Sequence, residues 1–208
     1  MSYDAFATTF SNSRKNLYWP ELDYIIRDMM QYTPYSMLDI GCGNGRFLTE
    51  ITNYELRITN YLGIDSSEGM IMEARKLHPD HHFDICSMLA LQTLQHSNTP
   101  TFDSLLFLAS FHHLESRTER IQVLQDISKL LAPNGRIYMT NWNLRDQTKY
   151  ETSHRWDGDY DIKIGAYSRY YHGFTLDELS GLFEETGYQI IENRVSEGGR
   201  NFLSILSL

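Results

Sequence analysis

The chain has 208 residues, 41% of them hydrophobic, and a formal net charge of -9. That length supports one domain with a substantial core, and no 18-residue apolar run is present to span a membrane. The acidic balance opposes nucleic-acid binding by the surface at large, and leaves a local basic patch or a partner that supplies one.

Met1-Ser2-Tyr3-Asp4 has no basic segment followed by an apolar one, so no signal peptide is expected. Cys42 and Cys86 lack metal-ligand spacing, and no metal site is expected. They read as two reduced thiols in a cytoplasmic protein.

Residues 3–14 and 20–31 read as helices ahead of the first strand, Met37 to Ile40. A helix opens at Arg46 and runs to Thr52. Tyr61 to Ile64 is the second strand. Ser67 to Leu77 is a helix, capped by Ser66 or Ser67, with Pro79 beyond its end. His82 to Cys86 is the third strand. Ser104 to Ala109 is continuously apolar, as expected of a strand covered on both faces. Thr118 to Leu131 is an amphipathic helix, with Ile121, Leu124, Ile127, Leu130 and Leu131 at helical spacing. Pro133-Asn134-Gly135 is a turn, and Arg136 to Thr140 the fifth strand. Residues 143–172 lose periodicity. Leu176 to Glu185 is a helix ending near Gly187. Gln189 to Arg194 and Phe202 to Leu206 form a hairpin through Gly198-Gly199. The alternation predicts a single domain over 1–208 of the α/β class. Its core is a doubly wound, mostly parallel seven-stranded sheet with an antiparallel strand at its edge. N-terminal helices occupy 1–36, and a substrate loop over 143–172 precedes the last helix and hairpin.

Leu38-Asp39-Ile40-Gly41-Cys42-Gly43-Asn44-Gly45-Arg46 carries the strongest chemical signal, answered by Gly63-Ile64-Asp65. A strand runs into a glycine-rich turn and a helix, and a second strand ends in a carboxylate. The glycines remove side chains where a nucleoside-bearing cofactor approaches, and Asp65 can accept from ribose hydroxyls. The glycines fall as G-x-G-x-G, and Asp39 precedes them. A pyrophosphate gains nothing from a carboxylate beside it, whereas a cationic amino-acid tail does. S-adenosylmethionine fits, with Asp39 at its ammonium, directly or through water. The competing readings are a plain structural turn and a nicotinamide site.

Ser87, Met88 and Ser110 follow strands three and four, where the cofactor would lie, and Ser66 follows Asp65. Ser87 reads equally well as a helix cap. His112 and His113 follow strand four. Imidazoles titrate near neutrality, so one suits a general base while the other is structural. Arg169-Tyr170-Tyr171-His172 ends the aperiodic segment. About 30 residues without regular structure suits a lid or substrate loop. Its Arg, Lys, Tyr and Trp residues suit a nucleobase or an anionic aromatic ligand, and its acidic residues leave a solvated loop as the alternative. Trp142, two residues past strand five, joins His112, Tyr170 and Tyr171 as candidate substrate contacts. Arg169, His172 and His113 are the catalytic candidates. Arg14 could hold the cofactor carboxylate as a forked donor. Trp19 before Pro20 reads as a packing anchor.

Taken together, these residues resemble the class I S-adenosylmethionine-dependent methyltransferases, and within them the tRNA wobble-uridine carboxymethyl methyltransferases. That family esterifies 5-carboxymethyluridine in the anticodon. The resemblance runs from Tyr3-Asp4 and Phe10-Ser11-Asn12-Ser13-Arg14 through Trp19-Pro20 and the glycine turn. It continues through His112-His113 with Arg117, Glu119 and Arg120, and ends with Arg169-Tyr170-Tyr171-His172-Gly173-Phe174, Glu178-Leu179 and Gly199-Arg200-Asn201. The stretch from Arg14 to Trp19 is one residue longer than in the family, Ser87 replaces its usual Asp, and Arg200 interrupts a Gly-Asn pair. The resemblance implies S-adenosyl-L-methionine as methyl donor and tRNA as partner, with Tyr3 and Arg14 joining the cofactor site. It also implies a small zinc-binding adaptor protein of the kind that supports eukaryotic members. The alternatives are a methyltransferase for a small carboxylic acid or phenol, and a non-catalytic methyltransferase-like binding domain.

Overall fold

The computed structural model describes residues 19–32, 36–52, 54, 56, 58–94, 101–155, 158–164 and 167–208. The helix expected over 3–14, with Tyr3 and Arg14, lies outside the described residues. Five strands run parallel in the order β3-β2-β1-β4-β5: β1 (Ser36–Ile40), β2 (Asn60–Asp65), β3 (His82–Ile85), β4 (Phe102–Leu108) and β5 (Leu131–Trp142). A last hairpin completes the seven-stranded sheet. Within it β9 (Asn201–Ser207) pairs antiparallel with β5 and with β8 (Gln189–Val195). The one reversed strand, β9, thus lies beside the outermost strand of that edge.

Helices cover both faces. On one face α1 (Pro20–Tyr32), α2 (Arg46–Ile51) and α3 (Glu68–Leu77) pack on Met37, Tyr61, Leu106, Tyr138 and Leu203. On the other, α4 (Arg117–Ser128) and α5 (Leu176–Glu185) pack on Leu38, Leu105, Phe107, Met139 and Leu206. Successive strand side chains point to opposite faces, so a strand between two helical layers must be apolar throughout. That is why β4 reads Leu105-Leu106-Phe107-Leu108. Ser67 caps α3 by accepting from Met70 N–H at 3.2 Å, and Ser116 with Glu119 forms a capping box on α4. Among the described residues no helix is long and apolar enough to cross a membrane.

Two segments differ from the sequence expectation. β5 starts at Leu131, not Arg136, because the Pro133-Asn134-Gly135 turn is a bulge inside the strand. Between two paired positions β5 advances from 131 to 136 while β4 advances only from 102 to 104, and Asn134 takes φ +64° to let the extra residues loop out. The second segment is 143–172. It holds a short 3-10 turn at Thr148–Ser153 and a two-stranded sheet, β6 (Asp159–Ile164) with β7 (Tyr167–His172). Tyr160 and Ile162 are buried while Asp161 and Lys163 between and beyond them are exposed. This alternation closes a small apolar cluster of Tyr160, Ile162, Tyr171 and Leu144.

Candidate active site

The carboxyl ends of β1, β2, β4 and β5 open into one cleft of about 940 Å³, a volume suited to a nucleoside-sized ligand. The glycine turn forms its floor. Gly41 has φ +76°, and a Cβ there would lie 2.4 Å from Ser110 Cβ. Ser110 cannot retreat, because it is buried and its hydroxyl donates to the Ile40 carbonyl at 2.6 Å. Gly43, at φ +57°, has no atom within 4 Å of such a Cβ and lines the cleft. Gly45 does something else. Its Cβ would meet His78 and Phe83 at 2.9 and 3.1 Å, so it serves packing behind the turn and does not line the cleft.

Asp65 is fastened across this turn. Its Oδ2 accepts from Gly43 N–H at 3.0 Å and its Oδ1 from Ser67 N–H at 2.9 Å. A carboxylate held this way presents acceptor oxygens on the cleft wall. Ser66, Ser87 and Met88 line the next part of the wall. The Ser87 hydroxyl also accepts from Leu89 N–H at 3.2 Å, so it caps the following 3-10 turn while facing the cleft.

Asp39 is the first departure from the expected site. It does not line the cleft. Strand side chains stand perpendicular to the sheet, so the position before Ile40 points into the face under α1 to α3 rather than out of the strand end. There Asp39 is 1% exposed, and its Oδ2 accepts from Tyr61 Oη–H at 2.8 Å. Its Oδ1 has no hydrogen-bond partner. Burial raises its pKa to about 7, with the Tyr61 bond opposing and the Asp65 charge adding. A carboxylate raised in the fold contributes stability that is whole below about pH 4 and lost as pH rises through about 7. Relative to Asp39→Asn, the wild type is therefore expected to lose up to about 4 kcal/mol between pH 4 and 8. Urea unfolding of both proteins across that range measures it. A pH-independent difference would mean that Asp39 does not titrate there.

The wall of the cleft formed by strand ends β5 and β7 is aromatic and cationic. Trp142 stacks on Tyr171 at 4.9 Å and 17°, and on Tyr150 at 5.9 Å and 18°. His112 and His113 sit against Tyr171, at 5.1 and 4.5 Å between ring centroids. Arg169, Lys149 and Arg200 line the same cavity.

Hydrogen bonding fixes the two imidazoles in opposite senses. His112 Nδ1 accepts from Trp142 N–H at 3.3 Å, so the proton of the neutral ring is on Nε2. That Nε2 is buried with no hydrogen-bond partner. His113 Nδ1 faces the Tyr170 carbonyl at 3.1 Å, so its proton is on Nδ1 and its Nε2 carries the lone pair. Burial, with the Arg169 charge among the further causes, lowers the His112 pKa to about 3 and holds His113 well below the usual range. Both rings are neutral at physiological pH. The pair offers one donor and one acceptor, a division that the sequence left open.

Beyond Gly45 and Asp39, two more expected residues do not reach the cleft. Tyr170 turns outward, donating to the Glu115 carbonyl at 3.0 Å and accepting from Arg120 at 3.3 Å. His172 is buried between Asp159, which bonds Nδ1, and Glu178, 2.7 Å from Nε2, and ties β7 to α5. Neither side chain lines the catalytic space. Period-two alternation is the cause: in β7, Arg169 and Tyr171 share one face and Tyr170 and His172 the other.

Several cleft residues were missed. Trp19 lines the cavity, with the Arg46 guanidinium 5.1 Å from its ring centroid. Glu21 in the first turn of α1 and the turn from Glu197 to Asn201 complete the rim. The glycine pair at 198–199 marked a turn, but its sequence carried no sign that it folds over the strand ends.

Residues 38–137 match the family model described as a methyltransferase domain. The S-adenosylmethionine-bound amino pentose methyltransferase CalS10 of Micromonospora echinaspora superposes with a TM-score of 0.70 at 16% identity, covering 99% of this chain and 97% of that one. The chain carries a methyltransferase domain and is an S-adenosylmethionine-dependent methyltransferase. The cleft fits that cofactor: a side-chain-free floor at Gly41 and Gly43, and the Asp65 carboxylate on the adjoining wall.

More particularly, it is similar to the Schizosaccharomyces pombe tRNA (carboxymethyluridine(34)-5-O)-methyltransferase, at 26% identity over 92% of this chain and 88% of the relative. The Saccharomyces cerevisiae protein of the same name is 30% identical over 68% of this chain. The chain spans only 47% of that relative's length.

Proposed function

We propose that the acceptor is the carboxylate of a 5-carboxymethyl-type wobble uridine in tRNA. The observation that carries this reading is the stacked wall of Tyr171, Trp142 and Tyr150 beside Arg169 and Lys149 in one cleft. Such a wall suits a planar base bearing an anion, and the names of the two fungal relatives support it. In this reading the 143–172 segment is the substrate element, and the work is cytoplasmic. The net charge of -9 makes a small adaptor protein part of the same proposal, as a source of surface for the RNA.

The bound cofactor supplies an electrophilic methyl group. A carboxylate is already ionised at neutral pH, so no general base is needed. Arg169 orients it, and the neutral His112 Nε2–H donates to one oxygen without transferring its proton. Tyr171 and Trp142 exclude water, which raises the effective nucleophilicity of the other oxygen.

Nucleoside mass spectrometry of tRNA from cells with and without the protein tests the proposal. Loss of the methyl ester with accumulation of its free acid is expected. Unchanged wobble uridines, together with methylation of a small carboxylic acid or phenol by the purified protein, would favour the second reading. The acidic surface is what favours that alternative.

A further inference from the structure

The glycine turn accounts for the cofactor's nucleoside, but the carboxylate expected at its ammonium, Asp39, is sealed under the sheet face. The cleft holds a different buried carboxylate, which the mechanism above does not use. Glu21 is 3% exposed and lines the cavity. Its Oε1 accepts from Asn201 Nδ2 at 2.9 Å and from the Ser196 hydroxyl. Its Oε2 is buried and has no hydrogen-bond partner. Two donors from the β8–β9 end therefore fix the carboxyl group and leave one oxygen unsatisfied.

We propose that Glu21 is the ligand of the cofactor's α-ammonium group. An acceptor-only oxygen removed from water and left unpaired is unfavourable until a donor, best a cation, reaches it. Glu21 stands on the correct side of the cleft for that cation. It lies two residues from Trp19, whose ring packs against Arg46, the first residue of the helix that leaves the glycine turn. The other acidic residues on the cavity wall are Asp65 and Glu197. Both oxygens of Asp65 already accept from Gly43 and Ser67 N–H groups, which commits it to the ribose end. The N-terminal helix α1 and the C-terminal hairpin thereby meet at the amino-acid end of the methyl donor.

The inference rests on the cofactor assignment, and the test separates the two. Calorimetry is done with S-adenosylhomocysteine and with its deaminated analogue, which lacks only the α-ammonium. Wild-type protein should prefer S-adenosylhomocysteine. Glu21→Gln should weaken S-adenosylhomocysteine binding by roughly tenfold to a hundredfold and leave the deaminated analogue unchanged. Glu21→Asp, which keeps the charge on a shorter arm, should lie between. Thermal melting of the same samples reports the fold. Equal weakening of both compounds assigns Glu21 to the fold alone and overturns the proposal. So does unchanged binding of S-adenosylhomocysteine by Glu21→Gln. A wild type that binds neither compound overturns the cofactor assignment itself.

Discussion

Gly41→Ala is expected to remove cofactor binding and a large part of the stability, whereas Gly43→Ala should remove mainly the binding. The added methyl at position 41 would sit 2.4 Å from Ser110 Cβ and 3.0 Å from its Oγ. Ser110 is 4% exposed and its hydroxyl is held on the Ile40 carbonyl, so the conflict spreads into the ends of β1 and β4. An L side chain at φ +76° adds strain of about 1–2 kcal/mol, and overpacking adds about 1–3 kcal/mol more. At position 43 the φ of +57° carries similar strain, but nothing lies within 4 Å. There the methyl projects into the space where cofactor backbone contact is needed, and affinity should fall by at least about a hundredfold. Urea unfolding and calorimetry with S-adenosylhomocysteine on both variants measure the two effects. Normal binding by a folded Gly43→Ala protein would remove the glycine turn from the cofactor site.

Arg169→Ala should lower single-turnover methylation by about a hundredfold or more while changing cofactor affinity less than about twofold. Arg169 lines the cleft from the same face of β7 as Tyr171. It lines the same cavity as His112 and His113, and its charge is among the causes that lower the pKa of both. A guanidinium there fixes a carboxylate in a planar fork, and alignment of an already charged nucleophile is where most of the barrier can be lowered. Arg169→Lys should rescue only partly, because an ammonium lacks the fork. Both measurements belong on the same samples. If affinity for S-adenosylhomocysteine falls in step with turnover, Arg169 serves the methyl donor or the fold rather than the acceptor.

The sheet was legible because its central strands are buried on both faces, which leaves unbroken runs such as Leu105 to Leu108. The glycine turn was legible because few residues besides glycine tolerate its three positive φ angles. Direction was harder to read. Spacing put Asp39 next to the turn but could not say that its side chain enters the face beneath. The four residues 169–172 read as one cluster only in a loop. Once they are a strand, alternate positions must part, and Tyr170 and His172 leave the site. The signal was present in the alternation of Tyr160, Asp161, Ile162 and Lys163, diluted by the many charges around it. Glu21 gave no signal of its own. An acidic residue after a proline in the first turn of a helix is explained by the helix dipole, and its place in the cleft depends on Asn201, 180 positions away.

The β6–β7 sheet shares no strand pairing with the seven-stranded sheet and closes on its own apolar cluster. It contributes Arg169 and Tyr171 to the cleft but nothing to the glycine turn. In the proposed function the hairpin bears on the methyl acceptor and the glycine turn on the donor, so the two halves of the reaction draw on different elements. In the proposed reading, a lineage that reshapes this hairpin alters part of the acceptor wall while the donor half stays intact. Affinity for the donor is then no guide to what two such proteins modify. In that reading the hairpin sequence is a place to compare when sorting relatives by acceptor.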